Sequence, residues 1–177
     1  MSYRPTQTIK IDSATGAQMT VDYPHHEIHS GSAYYASDVQ SISTTTYKWG
    51  ITTPNTTKWL HMIFNAQGTG EMLLTVIEDP ATYSGGSAWA SINANRNSGN
   101  ASGAVLLRGI TSTGGTTIYT VRTGDTAGGT GAHTSGEAGT RPELILRQNE
   151  QYVFQIQTFA ATFGSLGLAW YEHTDVA

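Results

Sequence analysis

The chain has 177 residues, a formal net charge of -4 and no cysteine. This length suits a single domain with its own core, and the lack of cysteine excludes a disulfide framework and a thiolate metal site. Charged residues make up 12% of the chain. The mild acidity argues against nucleic-acid binding, which requires a basic surface. No apolar run approaches about 18 residues, so no membrane-spanning segment is predicted.

The N-terminal residues 1–16 carry little apolar weight and are predicted to form an arm, followed by one folded domain over residues 17–177. The opening MSYRPTQT lacks the apolar centre of a signal peptide. We therefore expect the chain to be made and folded in a cytoplasm. Short strands are predicted at Thr8–Ile11 and Gln18–Tyr23.

Alternation with a period of two dominates the remainder, whereas helical periodicity is nearly absent. In Lys58–Asn65 the even positions Leu60, Met62 and Phe64 point to one face of a strand, and the odd positions Trp59, His61 and Ile63 point to the other. Further strands are predicted at His26–Gln40, Thr45–Ile51, Glu71–Glu78, Ala88–Asn93, Ala104–Ile110, Thr117–Arg122, Glu143–Arg147, Tyr152–Gln157 and Leu166–Tyr171. Turn signals such as Ser84-Gly85-Gly86 and Gly114-Gly115 separate them. The pattern predicts an all-β, antiparallel jelly-roll or β-sandwich domain.

Residues 123–141, TGDTAGGTGAHTSGEAGTR, have almost no large apolar side chain and are predicted to form one long loop. Gly131 and Gly136 have the spacing of a phosphate-binding loop, but Glu137 stands where that motif needs lysine. Phosphate binding by this loop is therefore not expected.

The densest polar cluster is His25-His26-Glu27-Ile28-His29. On a strand, His25, Glu27 and His29 would share a face, and neighbouring members could hold one metal ion. The alternative is that these side chains pair with carboxylates or backbone groups at a strand start or a subunit contact. We favour this alternative, so neither a metal nor a cofactor is predicted.

Catalysis is not predicted. No Gly-x-Ser-x-Gly turn precedes a helix, and Ser32 leads into a predicted strand. A glycosidase needs two carboxylates across a cleft, and the sequence places no such pair. Aromatic side chains could stack on sugars, although packing in a core or an interface is the expected role for most of them. These aromatic residues are Trp49, Trp59, Trp89, Tyr34, Tyr35, Tyr83 and Tyr171.

Several segments together resemble small virion proteins of tailed bacteriophages, in particular the decoration (cement) proteins that bind outside the capsid. These segments are His25–Gly31 followed by Tyr34-Tyr35, then Ile51–His61, and then Asn95–Ser98. The segment Glu143–Ile156 is similar to a hairpin common in viral jelly rolls. The likeness extends from about Val21 to His173.

The resemblance implies a structural protein on the capsid exterior of the virion. Such a protein would form a homotrimer, contact the major capsid protein and stabilise the shell. Because Lys58–Asn65 is apolar on both faces, one face is predicted to meet another subunit. The predicted contact residues are Tyr3, Arg4, His25, Glu27, His29, Trp59, His61 and Ile63. A phage tail or fibre component and a carbohydrate-binding β-sandwich module are the alternatives.

Overall fold

A computed structural model describes residues 23–124, 143–159 and 161–174 of the chain. These residues form one helix and eleven strands. In chain order they are α1 (Tyr23–Ser30), β1 (Ala33–Ser43), β2 (Thr46–Thr52), β3 (Trp59–Gly68), β4 (Met72–Glu78), β5 (Thr82–Ala88), β6 (Ile92–Asn93), β7 (Val105–Thr113), β8 (Thr116–Thr123), β9 (Leu144–Leu146), β10 (Gln151–Thr158) and β11 (Ala161–His173).

The strands form two antiparallel sheets that pack face to face, which confirms the predicted β-sandwich. The five-stranded sheet has the order β6-β1-β11-β3-β9, and the six-stranded sheet has the order β5-β7-β2-β10-β4-β8. Most consecutive strands lie in different sheets, so the chain crosses repeatedly between the two layers. A jelly-roll order of connections stays a prediction.

The core lies between the sheets and is built by the predicted alternation. In β3, Leu60 and Met62 are fully buried between the sheets. Trp49 of β2 and Phe154 of β10 face them from the six-stranded sheet. Burial of each such side chain stabilises the fold by roughly 1.5–3 kcal/mol.

The outer surface of the six-stranded sheet is partly covered by the chain itself. The side chain of Tyr83 lies directly against Gly50, at a distance that leaves no space for a Cβ atom there. Lys48 donates from Nζ to the backbone oxygen of Ser112 at 2.6 Å. Val153 of β10 pairs with Gly50 and points to the same outer side, because its neighbours in the strand face the core. It is nevertheless 0% exposed. Tyr83 of β5 therefore covers part of this side of the sandwich.

The helix α1 corrects the prediction that a strand starts at His26. Its C-terminus ends in two hydrogen bonds, from Gly31 N to Ile28 O and from Ser32 N to Glu27 O, both 3.1 Å. This pattern is a Schellman motif, which requires a left-handed residue, and Gly31 has φ of 75°. Pro24 falls in the first turn, where a missing N–H costs nothing. The strand β1 begins only at Ala33.

A second correction concerns Ser84-Gly85-Gly86, predicted as a turn, which lies inside β5. The turn signal at Gly114-Gly115 does lie between strands, β7 and β8. The predicted arm 1–16, the strand at 8–11, residues 18–22 and most of the predicted loop 123–141 lie outside the described residues. No helix in the described part of the chain is long and apolar enough to cross a membrane.

Candidate functional site

The outer face of the five-stranded sheet carries most of the exposed apolar surface. Of the ten large apolar side chains exposed among the described residues, six lie on this face. They are Tyr35, Val39, Trp59, Ile92, Ile145 and Phe163. A concentration of exposed apolar side chains on one face favours a contact site there. We call this surface the open face.

The predicted contact residues of β3 lie on the open face. Trp59 is 39% exposed, and His61 and Ile63 are half-buried. The register places Trp59 opposite His173, and His61 opposite Tyr171, on the neighbouring strand β11. The alternation therefore predicted which side chains of β3 point away from the core, and the sheet order shows which strand adjoins them. Their role in a contact stays a prediction. Tyr3 and Arg4 lie outside the described residues.

A polar cluster lies at one end of the open face and consists of His61, Glu143, Tyr171 and His173. The Nε2 atoms of His61 and His173 are 2.7 Å apart. His61 Nδ1 lies 3.0 Å from Glu143 Oε1, and the Tyr171 hydroxyl donates to the same carboxylate oxygen. The ring of His61 stacks on that of Tyr171 with centroids 4.7 Å apart. We call these four residues the histidine cluster.

Hydrogen bonding holds Glu143 in its ionised form. The hydrogen bond from Tyr171 is the largest influence and lowers the pKa of Glu143. Burial opposes this effect, whereas the hydrogen bond from His61 and the charges of His61 and His173 add to it. Glu143, Tyr171 and His173 were not predicted from the sequence to contact His61. Their positions in the chain are distant, and only the register of β3 with β9 and β11 brings them together.

The structure separates the three residues of the predicted metal candidate. His25 and His29 are one helical turn apart on the exposed side of α1, with Nε2 atoms 3.0 Å apart. Glu27 is buried and accepts hydrogen bonds from the hydroxyls of Ser30 and Ser32. The assumption that all three share the face of a strand is therefore wrong, because the segment is helical. Among the described residues, no group of three or more His, Cys, Asp or Glu side chains is arranged to hold a metal ion.

Glu27 is integrated into the fold through these contacts. Burial raises its pKa, but the hydrogen bonds from Ser32 and His26 and the charges of His26 and His173 outweigh burial. The net pKa of Glu27 is below its ordinary value. Glu27 therefore fixes the helix end against the start of β1 as an anion.

Other buried carboxylates have structural partners. Glu172 accepts hydrogen bonds from Ser102, from the Gly103 amide and from Trp170, and so fastens the loop before β7. Asp38 accepts from Trp49 Nε1 at 2.8 Å and pairs with Arg108 at 3.1 Å, which links the two sheets. These contacts give both carboxylates a structural role.

The aromatic residues divide between the core and the open face. Trp49, Trp89 and Tyr34 are buried, as expected for core packing. Tyr35 and Trp59 are exposed on the open face. Comparisons with protein-family models, with curated proteins and with solved structures found no match for this chain.

Proposed function

We propose that the protein is a non-catalytic structural subunit that binds the outside of a phage capsid as a homotrimer and stabilises the shell. The observation that carries the contact-making part of this proposal is the asymmetry of the sandwich. On the six-stranded sheet, Tyr83 covers part of the outer side and two large apolar side chains are exposed, Val105 and Ile118, whereas the open face presents six. The resemblance in the sequence supplies the capsid location.

A second copy of the chain is the proposed occupant of the open face. Apart from the histidine cluster, the outward side chains of its strands are apolar or uncharged polar groups. Approach of identical chains therefore meets little like-charge repulsion. A three-fold ring is formed when the open face of each copy meets a different patch of the next copy. Three linked copies would bind a capsid lattice with the avidity of several simultaneous contacts.

The first test of this function is the oligomeric state. In the presence of EDTA, we expect light scattering after size exclusion to give about three times the chain mass of 18.9 kDa. Replacing the exposed Trp59 by serine should convert the trimer to a monomer, because an apolar contact is lost. Ile118→Ser is the matched control, since Ile118 is 38% exposed on the other sheet. It should leave the trimer intact.

Circular dichroism of the Trp59→Ser protein separates loss of assembly from loss of folding. An unfolded variant would mean that Trp59 stabilises the fold itself, and a variant that stays trimeric would contradict the assigned interface. The capsid location is tested separately by co-sedimentation of the wild-type protein with empty capsid shells. A wild-type protein that is monomeric and does not co-sediment would exclude the proposed function.

Carbohydrate binding, whether as an isolated module or within a tail or fibre component, is the second candidate. It is favoured by one observation, the exposure of Tyr35 and Trp59 on the same sheet face. Aromatic rings at a surface can stack on the apolar faces of sugars. Glycan-array binding that is lost in both Tyr35→Ser and Trp59→Ser would support this candidate over the capsid role.

A further inference from the structure

The tautomers of the histidine cluster follow from its acceptors. Glu143 Oε1, 3.0 Å from His61 Nδ1, belongs to a carboxylate, which only accepts hydrogen bonds at neutral pH. The backbone oxygen of Thr174, 3.2 Å from His173 Nδ1, also only accepts. These two contacts favour, for each ring, the tautomer that carries its hydrogen on Nδ1. The Nε2 atoms of neutral rings would then each present a lone pair.

These two lone pairs face each other across 2.7 Å. Two acceptors at this distance repel each other unless a cation lies between them. The cation is either a proton shared by the two rings or a metal ion bound by both. Neutral imidazole is among the commonest metal ligands in proteins, so the pair is arranged as a metal chelate with its coordinating atoms already turned inward.

The surroundings match those of metal-bound histidines. Such histidines almost always donate their second N–H to a carboxylate or a backbone carbonyl, which fixes ring orientation. Glu143 performs this role for His61, and Thr174 performs it for His173. Stacking on Tyr171 further holds the His61 ring, whose side chain is only 12% exposed. The ligands lie on adjacent paired strands, which restricts their relative movement.

We propose that His61 and His173 bind one divalent transition-metal ion, with Zn²⁺ as the representative, through their Nε2 atoms. Water would complete the coordination shell. Nitrogens bound to one tetrahedral zinc ion at about 2.05 Å lie about 3.3 Å apart. The pair therefore has to open by about 0.6 Å from its separation of 2.7 Å. Because His173 is the last residue of β11, a small side-chain rotation there supplies this opening.

The exposed pair His25 and His29 provides the matched control. Its Nε2 atoms are also close, at 3.0 Å, but both residues are exposed on a helix of eight residues. The zinc titration is therefore performed by calorimetry on the full-length His25→Gln/His29→Gln protein, in which this second pair cannot contribute. We expect one Zn²⁺ per chain in this background, and removal of the ion by EDTA.

Further substitutions in the same background assign the site. His61→Gln and His173→Gln should each reduce zinc affinity by roughly 100-fold or more, and Glu143→Gln by about 10- to 100-fold through loss of the orienting hydrogen bond. Nitrogen-15 imidazole spectra should show a zinc-induced shift of Nε2, with both Nδ1 atoms protonated. Thermal melting in EDTA checks that each variant is folded.

Two results would overturn the proposal. The first is a folded background protein that binds no zinc and whose spectra show only a proton shared between the rings. The second is zinc affinity that is unchanged in His173→Gln, a residue at a strand end whose replacement the fold should tolerate. The proposal does not depend on the capsid role, because it requires neither a trimer nor a shell.

Discussion

At the residue scale, Glu27 shows how a buried charge can be held by local structure. The residue is 5% exposed, and its carboxylate accepts hydrogen bonds from side chains on both sides of the Gly31 turn. The hydroxyl of Ser32 would lose its acceptor if the carboxylate were removed, and a buried polar group without a partner is costly. Glu27 thus couples the end of α1 to the start of β1.

We predict that Glu27→Gln lowers the free energy of unfolding by about 1–2 kcal/mol at pH 7. Because the pKa of Glu27 is lowered on folding, its stabilising effect is present above its ordinary value of 4.5 and is lost as pH falls through the folded value. The difference between wild type and variant should therefore shrink below pH 4.5. Urea denaturation at pH 7, 5 and 3 measures it, and a constant difference would contradict the assignment.

The helix that contains Glu27 also shows a limit of pattern reading at this scale. Eight residues give too few turns for helical periodicity to be visible, and the sequence of this segment therefore suggests a strand starting at His26. The available signals were a proline in the first turn and Gly31 after the last residue. They would have identified the helix and separated Glu27 from His25 and His29.

At the scale of elements, β5 acts as a cover as well as an edge strand. The ring of Tyr83 lies against Gly50 of β2, on the outer side of the six-stranded sheet. A Cβ atom at Gly50 would come within 2.2 Å of the Tyr83 hydroxyl oxygen. Glycine at this position therefore allows the close approach of two chain segments.

Gly50→Ala is predicted to destabilise the protein by about 1–3 kcal/mol, because the added methyl group displaces the tyrosine ring. In a Tyr83→Ala background the same change should cost much less, since the obstruction has been removed. A double-mutant cycle by chemical denaturation measures this coupling. Additive effects of the two substitutions would show that β5 does not cover Gly50 in solution.

Strands differed in how well the sequence predicted them. The strand β3 was predicted in place because its even positions are buried without exception from Leu60 to Ala66. The strand β5 was missed because Gly85 and Gly86 read as a turn, and both do have positive φ values of 71° and 86°. Cross-strand pairing with β7 holds this segment in the sheet despite these backbone angles, and such pairing is a tertiary property that no local pattern records.

At the scale of the whole molecule, the sequence predicted two packed sheets but not which outer surface stays open. Trp59, His61 and Ile63 were correctly placed opposite the core, because strand geometry alone fixes that relation. The partial covering of the other sheet by Tyr83 depends on how β5 pairs with β7. The histidine cluster depends in the same way on sheet order, so neither feature was accessible before the strands were arranged.

The sandwich also buries ionisable tyrosines across both sheets, which predicts its response to alkaline pH. Burial raises the pKa of Tyr34, Tyr47, Tyr83 and Tyr152 above the ordinary value of 10. For Tyr152, the hydrogen bond to Glu78 adds to the effect of burial. The stabilisation from these protonated hydroxyls is complete below pH 10 and is lost as pH rises towards the folded pKa values. The free energy of unfolding should therefore decline above pH 10.

Tyr152→Phe isolates one part of this decline from the titration of lysine and other groups. The variant loses the hydroxyl bonds to Glu78 and Arg147, so it should be less stable than wild type at pH 8 by about 1–3 kcal/mol. Its stability should fall less steeply above pH 10, because one tyrosine no longer ionises on unfolding. The two curves should therefore converge in chemical denaturation at pH 8, 9.5, 10.5 and 11.5. Tyr35→Phe, which removes a hydroxyl at an exposed position on the open face, is the control for the substitution itself and should leave stability at pH 8 nearly unchanged. Parallel curves for Tyr152→Phe and wild type would instead mean that the buried hydroxyl titrates alike in the folded and unfolded chain.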